Sequence, residues 1–214
     1  MGAAMRTPEA VPGPAAREQV GDAELVARCR KGSPEAFDVL VVRHQDRIYN
    51  AVLRQCGDAH EAADITQRAF FNAFRSIGEF KGDCAFSTWM YRIAFNQGVS
   101  HRRENARHRA LSLDAAGKER PAEPVARDGE RDRLEGEEER EIVRRSLQEL
   151  DEGDRRIIVL KDVEGCSYDE IASVLQIPKG TVRSRLHRAR LVLRDILKGY
   201  LGTPRREGAS KGRT

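Results

Sequence analysis

The residues of this chain that could do chemistry gather in one short stretch. GTVRSRLHRARLVLR carries five arginines, Arg183, Arg185, Arg188, Arg190 and Arg194. A guanidinium stays charged at any physiological pH and presents its donors as a planar fork, which suits phosphates and the acceptor edge of guanine. At about 100° per residue, Val182, Leu186, Ala189 and Leu193 share one helical face. Ser184, His187 and Arg188 fall opposite, with Arg183 and Arg190 on one flank and Arg185 on the other. Other chemistry is not signalled. Cys84 and His101 offer a thiol and a base, but no third group orients them and no glycine loop cradles a phosphate. The four cysteines (Cys29, Cys56, Cys84, Cys166) lie far apart without C-x-x-C spacing, which argues against a zinc site or a disulfide framework and for reduced thiols in a cytoplasm. No catalytic residue, metal ligand or cofactor is expected.

The element that must position these arginines starts a few residues earlier. In SYDEIASVL, Ser167 and Glu170 have the spacing of a capping box. Residues 176–179 interrupt the pattern before the arginine helix begins. Two helices across so short a turn describe a helix-turn-helix, whose second helix enters the major groove. Arg188 would reach a guanine edge there, while the flanking arginines neutralise phosphates.

Upstream, apolar residues recur at three- and four-residue steps through Leu25, Val26, Cys29, Phe37, Leu40, Val41, Ile48, Tyr49, Val52 and Leu53, the mark of amphipathic helices. Ser33 before Pro34 is a helix start in which the hydroxyl accepts an orphan amide. Asp58 with Glu61 opens another helix, with Ala63, Phe70, Phe74 and Ile77 expected on its buried side. Asp64, Arg68, Phe71 and Arg75 form a second stripe, where an aromatic among charges points to a protein partner. A helix over 87–103 is expected to pack Phe86, Trp89, Met90, Ile93 and Ala94. Trp89, Tyr91 and Phe95 are also candidates for stacking on bases.

The composition frames these parts. Charged residues make up 34% of 214 and the mean hydropathy is −0.62, more solvated surface than one compact enzyme needs. No uninterrupted apolar run long enough for a membrane span occurs, nor the pattern of a signal peptide. From Thr181 onward ten Lys/Arg face two acids, whereas residues 104–141 hold eight Lys/Arg against twelve Asp/Glu. A basic end beside an acidic connector reads as a polyanion-binding module on a tether. The expected fold is all-α: two small helical domains, 22–103 and 141–200, joined by a flexible acidic linker over 104–140. Residues 1–21 and 201–214 are expected to be disordered tails.

Four segments carry a resemblance. SYDEIASVLQIPKGTVRSRLHRARLVLR resembles region 4 of extracytoplasmic-function sigma factors of the sigma-70 family. DAELVARCRKGSPEAFDVLVVRHQDRIYN, AADITQRAFFNAFRSI and FKGDCAFSTWMYRIAFNQGVSHRR resemble the opening helices, the polymerase-binding helix and the promoter-melting loop and helix of its region 2. The resemblance implies a non-catalytic initiation factor that docks on core RNA polymerase, reads the −35 and −10 elements of promoter DNA, helps to melt it, and is controlled by an anti-sigma factor. The alternative is a stand-alone helix-turn-helix regulator. That would need a dimer interface, and no heptad pattern supplies one.

By the resemblance, upstream contacts fall to Lys179, Thr181, Arg183, Ser184, Arg185, His187, Arg188 and Arg190. Downstream contacts fall to Lys81, Asp83, Cys84, Ala85, Phe86, Ser87, Asn96, His101, Arg102 and Arg103. Polymerase contacts fall to Asp64, Gln67, Arg68, Phe71 and Arg75. Extruding a base costs a few kcal/mol, which a pocket and basic contacts must offset. Two positions depart from the family. Arg68 follows Gln67 where an acid is usual, and Ser100 stands where an aspartate is common.

Overall fold

The computed structural model describes residues 20–111 and 132–201, with side chains described for residues 20–98 and 138–200. The expected tails therefore lie almost wholly outside the described residues. Every regular element among the described residues is helical, in two units.

The first unit contains α1 (Asp22–Arg30), α2 (Pro34–Cys56), α3 (Ala59–Ser76), a short 3-10 turn (Ile77–Glu79) and α4 (Phe86–Leu111). Pro34 opens α2 as expected, but the Ser33 hydroxyl caps no amide and instead donates to Glu35 at 2.9 Å. Gly57 closes α2 at φ +82°, the left-handed geometry that glycine adopts without steric penalty. Asp58 then starts α3, accepting the Glu61 N–H at 2.7 Å. Leu40, Ile48 and Val52 of α2 pack with Ile65, Ala69 and Ala73 of α3 and Met90, Ala94 and Phe95 of α4, all at most 2% exposed. Asp22 ties α1 across α2, with Arg43 Nη1 at 2.5 Å and His44 Nε2 at 2.7 Å.

The second unit contains α5 (Asp132–Glu149), α6 (Glu152–Ile158) running into a π turn (Val159–Val163), α7 (Tyr168–Leu175) and α8 (Lys179–Leu201). Asp151 caps α6 through the Gly153 N–H at 2.9 Å. Helices reach into both ends of the segment 104–140, expected to be a flexible acidic linker; residues 112–131 lie outside the described residues. Arg, Glu, Ala and Leu are good helix formers, and prolonging a helix avoids the cost of nucleating one.

The units pack directly on each other. At one end of the seam, the Arg155 guanidinium donates to Gln55 O at 2.6 Å, Gln148 O at 2.8 Å and Leu150 O at 3.0 Å, while Gln148 Nε2 donates to Arg54 O at 3.0 Å. At the other end, Glu164 has a side chain only 5% exposed. Its carboxylate accepts from Arg47 Nε at 2.9 Å and from the Tyr91 hydroxyl at 2.5 Å, with Arg54 Nη1 at 4.0 Å. Arg47 Nη2 also donates to Glu164 O at 2.7 Å. Nearby, Thr88 of α4 donates to Glu170 of α7 at 2.7 Å.

Burial, and then the hydrogen bond to Glu164, hold the Tyr91 phenol protonated far above its ordinary range. Its contribution to closure is thus full below about pH 10, the ordinary phenol value, and declines above it as the separated form sheds its proton. Glu164→Gln should weaken closure by about 1 to 3 kcal/mol, because it leaves Arg47 facing a neutral amide. Small-angle scattering should show a larger radius of gyration for this variant. The fluorescence of Trp89, the only tryptophan, buried in the first unit, should stay native.

Candidate nucleic-acid and polymerase interfaces

The helix-turn-helix is built from local signals that agree. Ser167 accepts the Glu170 N–H at 3.2 Å and Glu170 accepts the Ser167 N–H at 2.8 Å, so the expected capping box is complete. The Ser167 N–H, followed by the Thr88 hydroxyl, lowers the Glu170 pKa from its ordinary value. Gln176 ends α7 in the left-handed region at φ +54°, which turns the chain into α8. Val182, Leu186 and Ala189 of α8 are at most 2% exposed, against Ile171 and Val174 of α7, while Leu193, Ala172 and Leu175 complete the contact half-buried.

That packing turns Arg183, Ser184, Arg185, His187, Arg188 and Arg190 outward, all exposed, with Thr181 half-buried. Several of the cations are already engaged by acids of the same unit. Lys179 Nζ lies 2.7 Å from Asp169, Arg188 Nη2 lies 3.4 Å from Asp154, and Arg190 grips Asp162 through Nε at 3.0 Å and through Nη2. The bond to Asp162 holds the Arg190 guanidinium above its ordinary pKa. Arg183 sits 5.7 Å from the Tyr168 ring centroid. Sequence periodicity sorted the faces of α8 but could not show these acids, which come from three other elements.

In the first unit, a loop bent at Gly82 (φ +78°) joins the 3-10 turn to α4. Lys81, Asp83 and Ala85 are exposed on it and Cys84 is half-buried. Burial, and then the Asp83 charge, raise the Cys84 thiol above its ordinary value. Ser87 is half-buried and Asn96 exposed. Phe86 is not available to DNA in this structure. It is 3% exposed, its ring centroid 5.1 Å from His44, 6.2 Å from Phe80 and 5.9 Å from Trp89. The expected stacking candidates Trp89, Tyr91 and Phe95 are likewise buried, at 6%, 1% and 2%. Trp89 belongs to the core, and Tyr91 reaches the seam between the units. His101, Arg102 and Arg103 lie on α4 beyond the described side chains.

On α3, the outer stripe holds as a group: Asp64, Gln67, Arg68, Phe71 and Arg75 are all exposed. Phe71 is 60% exposed, with Arg75 at 5.8 Å from its ring. The buried side differs from expectation. It runs through Ala62, Ile65, Ala69, Phe70, Ala73 and Ile77, whereas Ala63 is exposed and Phe74 is 47% exposed beside Phe37. The packing stripe is marked by small alanines, a weaker signal than Phe74, so the expected face was turned too far. Phe74 extends the outer apolar surface of α3, and on α2 Val42 is exposed as well, at 70%.

Residues 140–193 match the family described as Sigma-70, region 4, and residues 40–108 match Sigma-70 region 2. The chain is 39% identical over 203 residues to the RNA polymerase sigma-H factor of Pseudomonas aeruginosa, covering 86% of this chain and 97% of that one. The chain belongs to the sigma-70 family. To the ECF RNA polymerase sigma-E factor of Escherichia coli it is 37% identical, over 81% of this sigma factor and 92% of the relative. Among solved structures, CnrH in complex with the cytosolic domain of CnrY matches with a TM-score of 0.60 and 27% identity, covering 83% of this chain and 97% of that one. The two family matches fall one on each helical unit, on either side of residues 112–131.

The outer stripe of α3 makes a separable prediction. Phe71→Ala should cost about 1 to 3 kcal/mol of binding to core polymerase and little stability, since an exposed ring gives up no core contact. Phe70→Ala, which empties a site only 7% exposed, should cost about 3 to 5 kcal/mol of stability. Urea melts run beside polymerase titrations distinguish the two. The reverse ranking would show that the outer stripe is not the binding face.

Proposed function

We propose that this sigma factor directs promoter-specific initiation by reading the upstream −35 element as duplex with α8 and opening the downstream −10 element with residues 81–87 and the exposed face of α4. The single observation that carries this is α8 itself: a helix fixed by Val182, Leu186 and Ala189, with Arg183, Ser184, Arg185, His187 and Arg188 turned outward across one face. A major groove admits one such helix, and its base edges are read by the side chains at the pole while the flanks meet phosphates. Lys81 and Asp83 give the loop exposed polar groups beside α4, with the small Ala85 exposed between Cys84 and Phe86, which supports a role in holding a base out of the stack.

Docking on core polymerase falls to the α3 stripe of Asp64, Gln67, Arg68, Phe71 and Arg75, extended by Phe74. An exposed aromatic beside charges is the composition of a binding hot spot. Arg68 reverses the charge that the family resemblance implies at its position, so docking there is either weakened or met by a matching change on the polymerase. A protein partner that withholds the factor, an anti-sigma factor, is supported by the fold it shares with the sigma factor RpoE from Bartonella quintana, which was solved in complex with the anti-sigma factor NepR. The factor works in the cytoplasm, beside its polymerase, and no described helix is long and apolar enough to cross a membrane.

Run-off transcription with core polymerase and a promoter library tests the whole reading. Core polymerase with the factor should initiate at a restricted set of sequences sharing two elements, and core polymerase alone should not. Sequence-specific binding by the factor without polymerase, with no gain in transcription, would overturn it.

A further inference from the structure

We propose that Asp154 is a specificity-determining residue: its carboxylate positions the Arg188 guanidinium at the edge of the outward face of α8, so that Arg188 meets one base pair of the upstream element in a fixed orientation. This rests on the reading of α8 given above. Asp154 stands in the first turn of α6 and is 9% exposed, while the Arg188 side chain is 65% exposed and donates to Asp154 Oδ1 at 3.4 Å. A carboxylate so nearly buried is costly without a cation, and it anchors that cation in turn.

Anchoring matters for readout. A long free side chain gives up rotamer freedom when it engages a base, and one already held gives up less. The guanidinium has five donors, so a single bond to Asp154 leaves the fork free for the O6 and N7 acceptors of guanine. Arg185 approaches the same flank: a Cβ added at Gly153 would lie 3.5 Å from Arg185 Nη1, and 3.3 Å from Asp151 Oδ1. Both Arg185 and Arg188 therefore lie over the start of α6.

The other flank is held differently. Arg190 engages Asp162 with two nitrogens. By helical geometry it stands about 80° from Val182, close to the buried side. A cation so placed suits the phosphate backbone, where charge matters more than orientation. Arg188 stands about 120° from Val182 on the opposite side, next to Ser184 and nearer the pole. The two acid pairs thus divide between reading and general attraction.

The test uses holoenzyme assembled from the full chain and core polymerase, on a promoter series changed one upstream base pair at a time. A wild-type holoenzyme that selects no promoter overturns the functional reading itself. Where the wild type does select, Asp154→Asn should lower discrimination at one base pair by about tenfold and use the mismatched promoters at least as well as before. Asp154→Glu, which keeps the charge and displaces it, should weaken discrimination at the same base pair and guards against a folding defect in the first variant. Asp162→Asn should alter the salt dependence and leave discrimination intact. In an Arg188→Ala background, Asp154→Asn should add no further loss. An unchanged pattern, an equal loss at every base pair, or the same loss with Arg188 absent would reduce Asp154 to a structural residue and overturn the proposal.

Discussion

Glu164 sits where the two helical units meet, and its carboxylate barely reaches water. Isolated burial of that charge would cost several kcal/mol, so the fold must bring cations and donors to it. α2 supplies Arg47 and Arg54, and α4 supplies the Tyr91 hydroxyl. Arg47 also lies 5.9 Å from the Tyr91 ring centroid, which joins the two donors into one cluster. Much else follows from satisfying this group. The second unit is drawn onto α4, Tyr91 is enclosed, and Thr88 comes within reach of Glu170. Cys166, two residues on from Glu164, is enclosed as well, and burial pushes its thiol up to about 11.

Electrostatic pairing of a different kind governs α8. There the cations are exposed and the acids come from α6, the π turn and α7. The pairs made by Asp162 and Asp169, open to water on both sides, contribute little to stability, on the order of 0 to 1 kcal/mol each. Their effect lies in where they hold side chains before DNA arrives. The helix is presented with its charged groups already arranged around it rather than as a loose brush of arginines.

What could be read from the sequence depended on how local each signal was. Ser167 and Glu170 announced α7 because a capping box involves residues three apart, and the faces of α8 followed from helical periodicity alone. The outer stripe of α3 was legible because Phe71 stands among charges, yet Phe74 was assigned to the core since an aromatic outweighs Ala62, Ala69 and Ala73 in any hydrophobic pattern. Tyr91 and Phe95 were mistaken for stacking groups because the second unit that covers Tyr91 is more than 70 residues away in sequence. Glu164, Arg47, Asp154 and Asp162 gave no local signal at all. Each acts through a partner on another element, and a lone charge in a chain so rich in charges carries no direction.

Arg155 and Glu164 secure the two ends of the seam by unlike means. Arg155 is held at Gln55 by carbonyl oxygens in a buried setting, which dissolved ions scarcely screen. Arg47 is half-exposed where it meets Glu164, so that end weakens as ionic strength rises. Eight residues of α2 separate Arg47 from Gln55, about 12 Å along the helix axis. Such a pair of fastenings behaves as a door does, with a pin at one edge and a catch at the other. Salt therefore bears unequally on the two ends of the seam, more on the catch than on the pin.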